Sequence, residues 1–241
     1  MNTALRIAIL SLGVLSTGVS SMSLAAPREH ADFRTEAASK DARRLVDWVI
    51  TSGDNGGLPF VVVDKVAAKL FVFYADGRLR GAAPALLGLA RGDDSVPGIG
   101  ERKLASIRPE ERTTPAGRFV GAIGNERGEK DIVWVDYEAA ISLHRVITSN
   151  AKERRLQRLA TASPLDNRIS YGCINVPARF YDTVVGPAFT GTNGIVYILP
   201  EVRSIRDVFP AYDAAAHRPA AQASATPRRP SQVSASGASG G

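Results

Sequence analysis

Two residues in this chain could do nucleophilic chemistry together, Cys173 and His144. Cys173 is the only cysteine among 241 residues. It follows Gly172 in Arg168-Ile-Ser-Tyr-Gly-Cys-Ile-Asn-Val176, where apolar Ile174 and Val176 alternate after it. Of the three histidines, His30 lies near the start and His217 in a Pro/Ala-rich stretch near the end. Only His144, in Ala140-Ile-Ser-Leu-His-Arg-Val146, falls in a stretch patterned to fold. A thiol attacks well only as the thiolate, so Cys173 needs a base or positive surroundings. A histidine nearby in space can take the thiol proton and later return it to a leaving amine. Gly172 has no Cβ, so backbone and substrate can approach closely there. The backbone N–H of Cys173, with those of Gly172 or Tyr171, is a candidate oxyanion hole. The combination is acyl transfer: attack on an amide carbonyl, an acyl-enzyme, then release to water or an amine.

Each of these residues also has a plainer role open to it. A lone cysteine is often a small buried hydrophobe. His144 alternates with apolar neighbours, as a satisfied core histidine would. Ser170 and Asn175 are candidates for substrate binding or for hydrogen-bonding the turn. Arg168 and Arg145 are candidates for binding substrate carboxylates, or for ordinary ion pairs. Tyr171 can offer a hydroxyl, stack on a substrate, or pack.

The elements that must position this pair are mainly β. After Pro59 the β-branched and aromatic runs Phe60–Val63 and Lys69–Tyr74 read as strands, joined to a third near Ala82–Leu89 through the turn signal Asp76-Gly77. Strands resume at Arg118–Ile123, Ile132–Val135 and Ala140–His144, and the last is Ile195–Leu199. Residues 91–101 and 161–169 are loops. Ala151–Ala160 reads as one short, very basic helix, a surface helix or a lid. Pro177–Val185 reads as another, with Pro177 in its first turn. Ahead of the strands, residues 27–58 form a polar leader. Its one helix carries Ala38, Ala42, Leu45, Val46 and Val49 at helical spacing and ends at Gly53. No internal repeat is present. The core domain is expected over 59–200, with 201–211 closing it.

The ends point to export. Met1–Arg6 is a short basic start, Ile7–Val19 an apolar run, and Ser23-Leu-Ala25 a small-x-small cleavage site. Residues 1–26 therefore read as a secretory signal peptide, giving a periplasmic or cell-envelope protein. An uncleaved anchor is the alternative; after cleavage no stable membrane span remains. From 212 to 241 the composition falls to Ala, Ser, Pro, Gly and Arg, which cannot bury enough apolar surface to offset ordering entropy. A net charge of +6 and a pI near 9.7 suit either an acidic partner or a solvated basic surface. No basic-aromatic interleaving accompanies that charge, and export is expected, so no nucleic acid partner is expected. One cysteine makes no internal disulfide, and one cysteine with one usable histidine makes no structural zinc site.

These residues resemble the L,D-transpeptidase catalytic domain of bacterial cell-wall enzymes. Leu143-His144 is similar to that family's histidine strand, and Ser170-Tyr-Gly-Cys-Ile-Asn175 to its Ser-x-Gly-Cys-(apolar)-Arg/Asn segment. Val62-Val-Asp64 with Lys69–Tyr74 resembles its opening hairpin, and Thr114-Pro-Ala-Gly-Arg-Phe119 its Thr-Pro-x-Gly-x-Phe segment. The resemblance spans about 59–200. Tyr171 stands where that family often has histidine, Asn175 where it often has arginine, and Arg145 where glycine often follows the histidine. The resemblance implies a mainly β sandwich of mixed strands with a few short helices. It implies Cys173 as nucleophile, His144 as base, and a backbone carbonyl near Arg145 orienting the imidazole. The implied substrate is a peptidoglycan stem tetrapeptide, passed through a Cys thioester to an amine, with no metal or organic cofactor. A hydrolase using the same pair, an L,D-carboxypeptidase or an amidase freeing wall-linked protein, is the near alternative. A non-catalytic wall-binding protein is the distant one. The oligomeric state is left open.

Overall fold

The computed structural model describes residues 30–126 and 129–212. The expected signal peptide and all but the first residue of the expected tail lie outside the described residues. The chain is mainly β with mixed strands and a few short helices, as expected.

Among the described residues ten strands form: β1 (Phe60–Asp64), β2 (Lys69–Phe73), β3 (Leu79–Pro84), β4 (Leu87–Gly88), β5 (Gly117–Glu126), β6 (Glu129–Asp136), β7 (Ile141–Arg145), β8 (Arg168–Ser170), β9 (Ile174–Val176) and β10 (Gly194–Ile198). Eight of them make one large sheet in the order β3-β2-β1-β10-β5-β6-β7-β9, and β4 and β8 make a small parallel ribbon. Within the large sheet β1 runs parallel to β10 and β7 to β9, while the other neighbours are antiparallel. The sheet curls nearly into a barrel, because its inner face closes on one apolar cluster. Val61, Leu70, Val133, Leu143, Ile174 and Val196, from six different strands, all meet in it. This shape follows from the alternation of each strand: successive side chains point to opposite faces, and the inward set is apolar throughout.

The expected strand over 82–89 is two pieces, β3 and β4, in different sheets. Pro84 ends the first, because it has no N–H to continue the ladder. The expected basic helix is also split. A tight turn at Ala151–Glu153 is followed by Arg154 in the left-handed region, with φ 52°. Only then does α2 (Arg155–Ala160) begin. Pro177 caps the next helical run rather than sitting inside it, with an extended ψ of 134°. That run continues through Phe189 as α3 (Ala178–Phe180), a wider π-type turn at Tyr181–Val185, and α4 (Gly186–Phe189).

The outer face of the sheet is divided. Over β1, β2 and β10 it is covered by α1 (Lys40–Ser52). That helix is capped by the Ser39 hydroxyl, which accepts from the Ala42 N–H at 3.0 Å, and it stops at Gly53 in the left-handed region. Leu45, Val46 and Val49 pack on Phe60, Val62 and Tyr197. Phe33 meets Phe71 and Phe73 edge-on at 5.1 and 5.2 Å, and Phe209, just beyond α5 (Ile205–Val208), closes the same cluster. Over β6, β7 and β9 the segment 95–113, with its three short 3₁₀ turns, covers a cavity that Ile132, His144 and Asn175 line from these strands and Arg155, from the start of the next helix, from the side. Among the described residues, no helix is long and apolar enough to cross a membrane.

Candidate active site

Strand pairing brings the chemistry together. On β7, Ser142 and His144 share one face by the two-residue repeat, and it is the outer one, since Leu143 between them faces the core. β9 lies parallel beside β7 with His144 opposite Asn175. Cys173 stands just before β9. Cys173 and His144 therefore line one cavity of about 410 Å³, together with Tyr171, Ser170 and Asn175.

The imidazole is oriented from below. His144 Nδ1 lies 2.7 Å from the backbone oxygen of Arg145. A carbonyl has no proton to give, so Nδ1 carries one and donates it. The neutral ring then has its lone pair on Nε2. Asn175 Nδ2 approaches that nitrogen at 3.3 Å and the Cys173 carbonyl at 3.3 Å. The amide is held this way round by Arg155, whose Nη1 donates to Asn175 Oδ1 at 2.7 Å. A guanidinium can only donate, so the oxygen must face it and the NH₂ must face His144.

The thiol is flanked by polar groups of the neighbouring strand. Ser142 Oγ donates toward Cys173 Sγ at 3.5 Å, and Sγ lies 3.6 Å from the Ala140 carbonyl. The serine hydroxyl can follow the sulfur into its anionic form, where a donor to it strengthens. The carbonyl can bond only the protonated thiol. Replacing Ser142 with alanine is therefore expected to slow alkylation of Cys173 by iodoacetamide about 3- to 10-fold at neutral pH, for the loss of about one hydrogen bond. An unchanged rate would show that the hydroxyl does not support the thiolate.

The cysteine loop is stapled at three points. Ser170 Oγ accepts from the Gly172 N–H at 3.1 Å and donates to the Cys173 carbonyl at 2.6 Å. Thr114 Oγ1 donates to the Gly172 carbonyl at 2.8 Å and accepts from the Gly88 N–H at 2.9 Å. Gly172 itself has φ 134°, a conformation that side chains rarely adopt. A Cβ there would stand 2.6 Å from Ile141 Cδ1 and 2.7 Å from the Thr113 oxygen. Gly172→Ala is expected to cost about 1–3 kcal/mol in backbone strain alone and to displace the thiol. The check is urea unfolding alongside Cys173 alkylation, and wild-type values in both would refute it.

Below Thr114 lies a buried ionic cluster that holds it in place. Lys65 is fully buried. Its Nζ donates to the Thr114 carbonyl at 2.8 Å, the Gly92 carbonyl at 2.5 Å and Asp93 Oδ1 at 2.8 Å. Asp93 also accepts from the backbone N–H groups of Glu201, Val202 and Arg203 at 2.8, 2.9 and 2.6 Å. Burial lowers the pKa of Lys65, while Asp93 and Glu201 oppose that shift.

The expected site residues divide accordingly. Tyr171 lines the cavity, with the Arg112 guanidinium 4.0 Å from its ring centre. Ser170 and Asn175 line it while bracing the loop and the imidazole. The Gly172 N–H, an expected oxyanion donor, is committed to Ser170. Arg145 supplies the orienting carbonyl, and its side chain is engaged by Asp182 at 2.6 Å and by the Tyr181 ring. Arg168, expected as a carboxylate binder, is not at the cavity. Its guanidinium forks onto Glu201 at 3.0 and 2.5 Å and donates to the Lys65 carbonyl at 2.9 Å. The reason is its strand: β8 pairs with β4, on the side of the Lys65 cluster. Sequence reasoning missed Ser142 as a contact of the thiol, although its two-residue offset from His144 signals the shared face. It placed Arg155 only within a basic helix, and it missed the Lys65 cluster, whose members have no sequence proximity.

The cover turns Ile99, Leu104 and Ile107 to the cavity, with Arg102 among them. Glu111 ties it down, accepting from both Nη atoms of Arg102 at 3.0 and 3.1 Å and from the Arg108 N–H at 2.8 Å. Those bonds, Arg102 first, hold its carboxyl down at about 2. Among the described residues, no group of three or more His, Cys, Asp or Glu side chains is arranged to hold a metal ion.

No protein-family model matches the sequence, and no curated protein matches it. Several solved structures are similar. A mutant form of the helical cell shape determining protein Pgp2 from Campylobacter jejuni is 11% identical, with a TM-score of 0.41, covering 74% of this chain and 64% of that one. Another Pgp2 structure is 16% identical with a TM-score of 0.42, covering 65% and 55%. A mutant Enterococcus faecium L,D-transpeptidase is 15% identical with a TM-score of 0.31, covering 58% and 49%. The chain thus spans less than two thirds of the length of each.

Proposed function

We propose that this protein is an exported cysteine acyltransferase acting on peptidoglycan stem peptides, of the L,D-transpeptidase type. One observation supports this most. Two adjacent parallel strands direct Cys173 and His144 to one largely apolar cavity, with the imidazole oriented by the carbonyl of Arg145, the arrangement that the sequence resemblance implies.

In this reading the long 3.3 Å approach of the Asn175 amide to His144 Nε2 is given up as that nitrogen takes the thiol proton, and Cys173 Sγ attacks the amide carbonyl. The oxyanion forms against the N–H groups of Cys173 and Tyr171, since that of Gly172 is committed. The C–N bond breaks and His144 returns its proton to the departing D-residue. The thioester is then resolved by an amine, or by water, which gives up a proton to His144 as the thiol is released. The cover restricts water while the acyl group waits.

The test is mass spectrometry of the mature protein incubated with disaccharide-tetrapeptide. A cross-linked dimer and free D-residue are the expected products. Tripeptide without dimer would assign a hydrolase instead, and an unaltered tetrapeptide would overturn the substrate.

A further inference from the structure

We infer that Arg155 is the residue that binds a substrate carboxylate in this site, so that the enzyme selects an acyl donor carrying an anion beside the scissile amide. The inference rests on the acyl-transfer reading for the identity of the donor. The charge selection itself comes from the cavity.

Among the described residues, two side chains with full charge line the cavity, Arg102 and Arg155, and no aspartate or glutamate does. The remaining walls are apolar or neutral. Each is ion-paired away from the cavity, Arg102 with Glu111 and Arg155 with Glu153, so a negative group on a ligand gains through whatever guanidinium N–H groups remain turned to the cavity. The two arginines are not equivalent. Arg102 belongs to the cover, and its fork is occupied by the bidentate Glu111 and by the Ser106 carbonyl at 2.6 Å. Arg155 is 12% exposed in its side chain; among the described residues it is ion-paired with Glu153 through Nε at 2.5 Å and donates to Asn175 through Nη1 at 2.7 Å, which leaves Nη2 uncommitted there. A guanidinium has five N–H groups, so a substantial part of its donor set remains for a ligand. Its place is also better. Arg155 reaches His144 through one intervening side chain, Asn175, which also touches the carbonyl of Cys173. A carboxylate on Arg155 is therefore held one residue's reach from the thiol. The left-handed turn at Arg154 is what aims α2's first side chain into the site.

Asn175 makes this more than a docking point. The same guanidinium that would bind the carboxylate also fixes the amide facing the base. Occupation of Arg155 and orientation of His144 are thus coupled through one hydrogen bond.

Iodoacetate and iodoacetamide test this without any wall peptide, since they alkylate the same thiol and differ in charge. The readout is the ratio of their rates on Cys173, divided by the ratio for the same protein unfolded in urea. The native protein is expected to favour iodoacetate by about 10-fold or more, the worth of one charge-assisted hydrogen bond in a sheltered site. Arg155→Gln is expected to bring the ratio to within about 3-fold of the unfolded value. Asn175→Ala, which cuts the link and leaves the guanidinium, is expected to slow both reagents while the ratio persists. A native ratio no higher than the unfolded one would overturn the proposal. So would a ratio that survives Arg155→Gln, or one lost in Arg102→Gln instead. If the ratio behaves as expected but tetrapeptide is not consumed, Arg155 keeps its role and the peptidoglycan substrate falls.

Discussion

Replacing Cys173 with alanine is expected to abolish turnover of disaccharide-tetrapeptide, by a factor on the order of 10⁴ or more, while the protein still folds. The size of the effect follows from covalent chemistry. Without the sulfur no thioester forms, and the oriented histidine has no nucleophile to deprotonate. The fold should survive because the thiol's hydrogen bonds with Ser142 and Ala140 are long sulfur bonds of 3.5 and 3.6 Å. Losing them costs below about 1 kcal/mol. Cys173→Ser keeps the shape but raises the pKa of the nucleophile far beyond what an imidazole can deprotonate efficiently, so it should be nearly as inactive. His144→Ala should lose most activity too, with some recovery at higher pH where thiolate forms unaided. Product formation by mass spectrometry, with thermal unfolding as the control, decides it. Turnover within tenfold of wild type in the alanine variant would remove Cys173 from the chemistry.

Lys65→Met is expected to be the most damaging single change outside the cavity. Lys65 is fully buried, and so is the Glu201 side chain at 1% exposure. Removing one partner of a buried ionic cluster costs about 3–5 kcal/mol, because the remaining charges stay out of water without compensation. Here the lower end applies. Asp93 keeps three backbone N–H donors and Glu201 keeps Arg168. About 3 kcal/mol corresponds to a fall in Tm of about 6–12 °C for a chain of this size. The change should also reach the site, since Lys65 holds the Thr114 carbonyl and Thr114 holds the Gly172 carbonyl. Urea unfolding and Cys173 alkylation measure the two effects. A stability loss below about 1 kcal/mol would show that the cluster is dispensable.

The same cluster sets the response to acid. Burial works to raise the Asp93 pKa, but the N–H of Arg203, the Lys65 ammonium and the N–H groups of Glu201 and Val202 outweigh it and hold it at about 2. The folded value lies below the ordinary 3.8, so this stabilisation is fully present above that value. It is lost as pH falls through the ordinary value toward 2. Urea midpoints of the wild type should therefore drop across that window. Asp93→Asn, weaker at neutral pH, should show a shallower drop; parallel curves would assign the acid sensitivity elsewhere.

The candidate pair, Cys173 and His144, was legible in the sequence by scarcity and by context, and the fold brings both to one cavity. One cysteine and one histidine in a folding stretch leave a single pair, and the Gly before the cysteine offers close approach; that its φ is 134° came only with the fold. The strands were legible because alternation is a local property, as in Ile141-Ser-Leu-His-Arg145. Several boundaries were not. Arg154 can break a helix in the left-handed region only when neighbours on both sides fix the turn, and no local signal announces that. Arg168 reads in sequence as a cation beside the cysteine loop. Its partner, Glu201, lies 33 positions away and meets it only because β8 pairs with β4. The Lys65 cluster spans Asp93, Thr114 and Glu201 in the same way. Arg155 is one of several arginines in a basic run until the fold selects it. The sequence by itself determined which atoms could react, because that depends on residue type and immediate neighbours. The tertiary structure alone decided which charges meet and which arginines line the cavity with the thiol, because pairing across a curled sheet depends on register between strands distant in the chain.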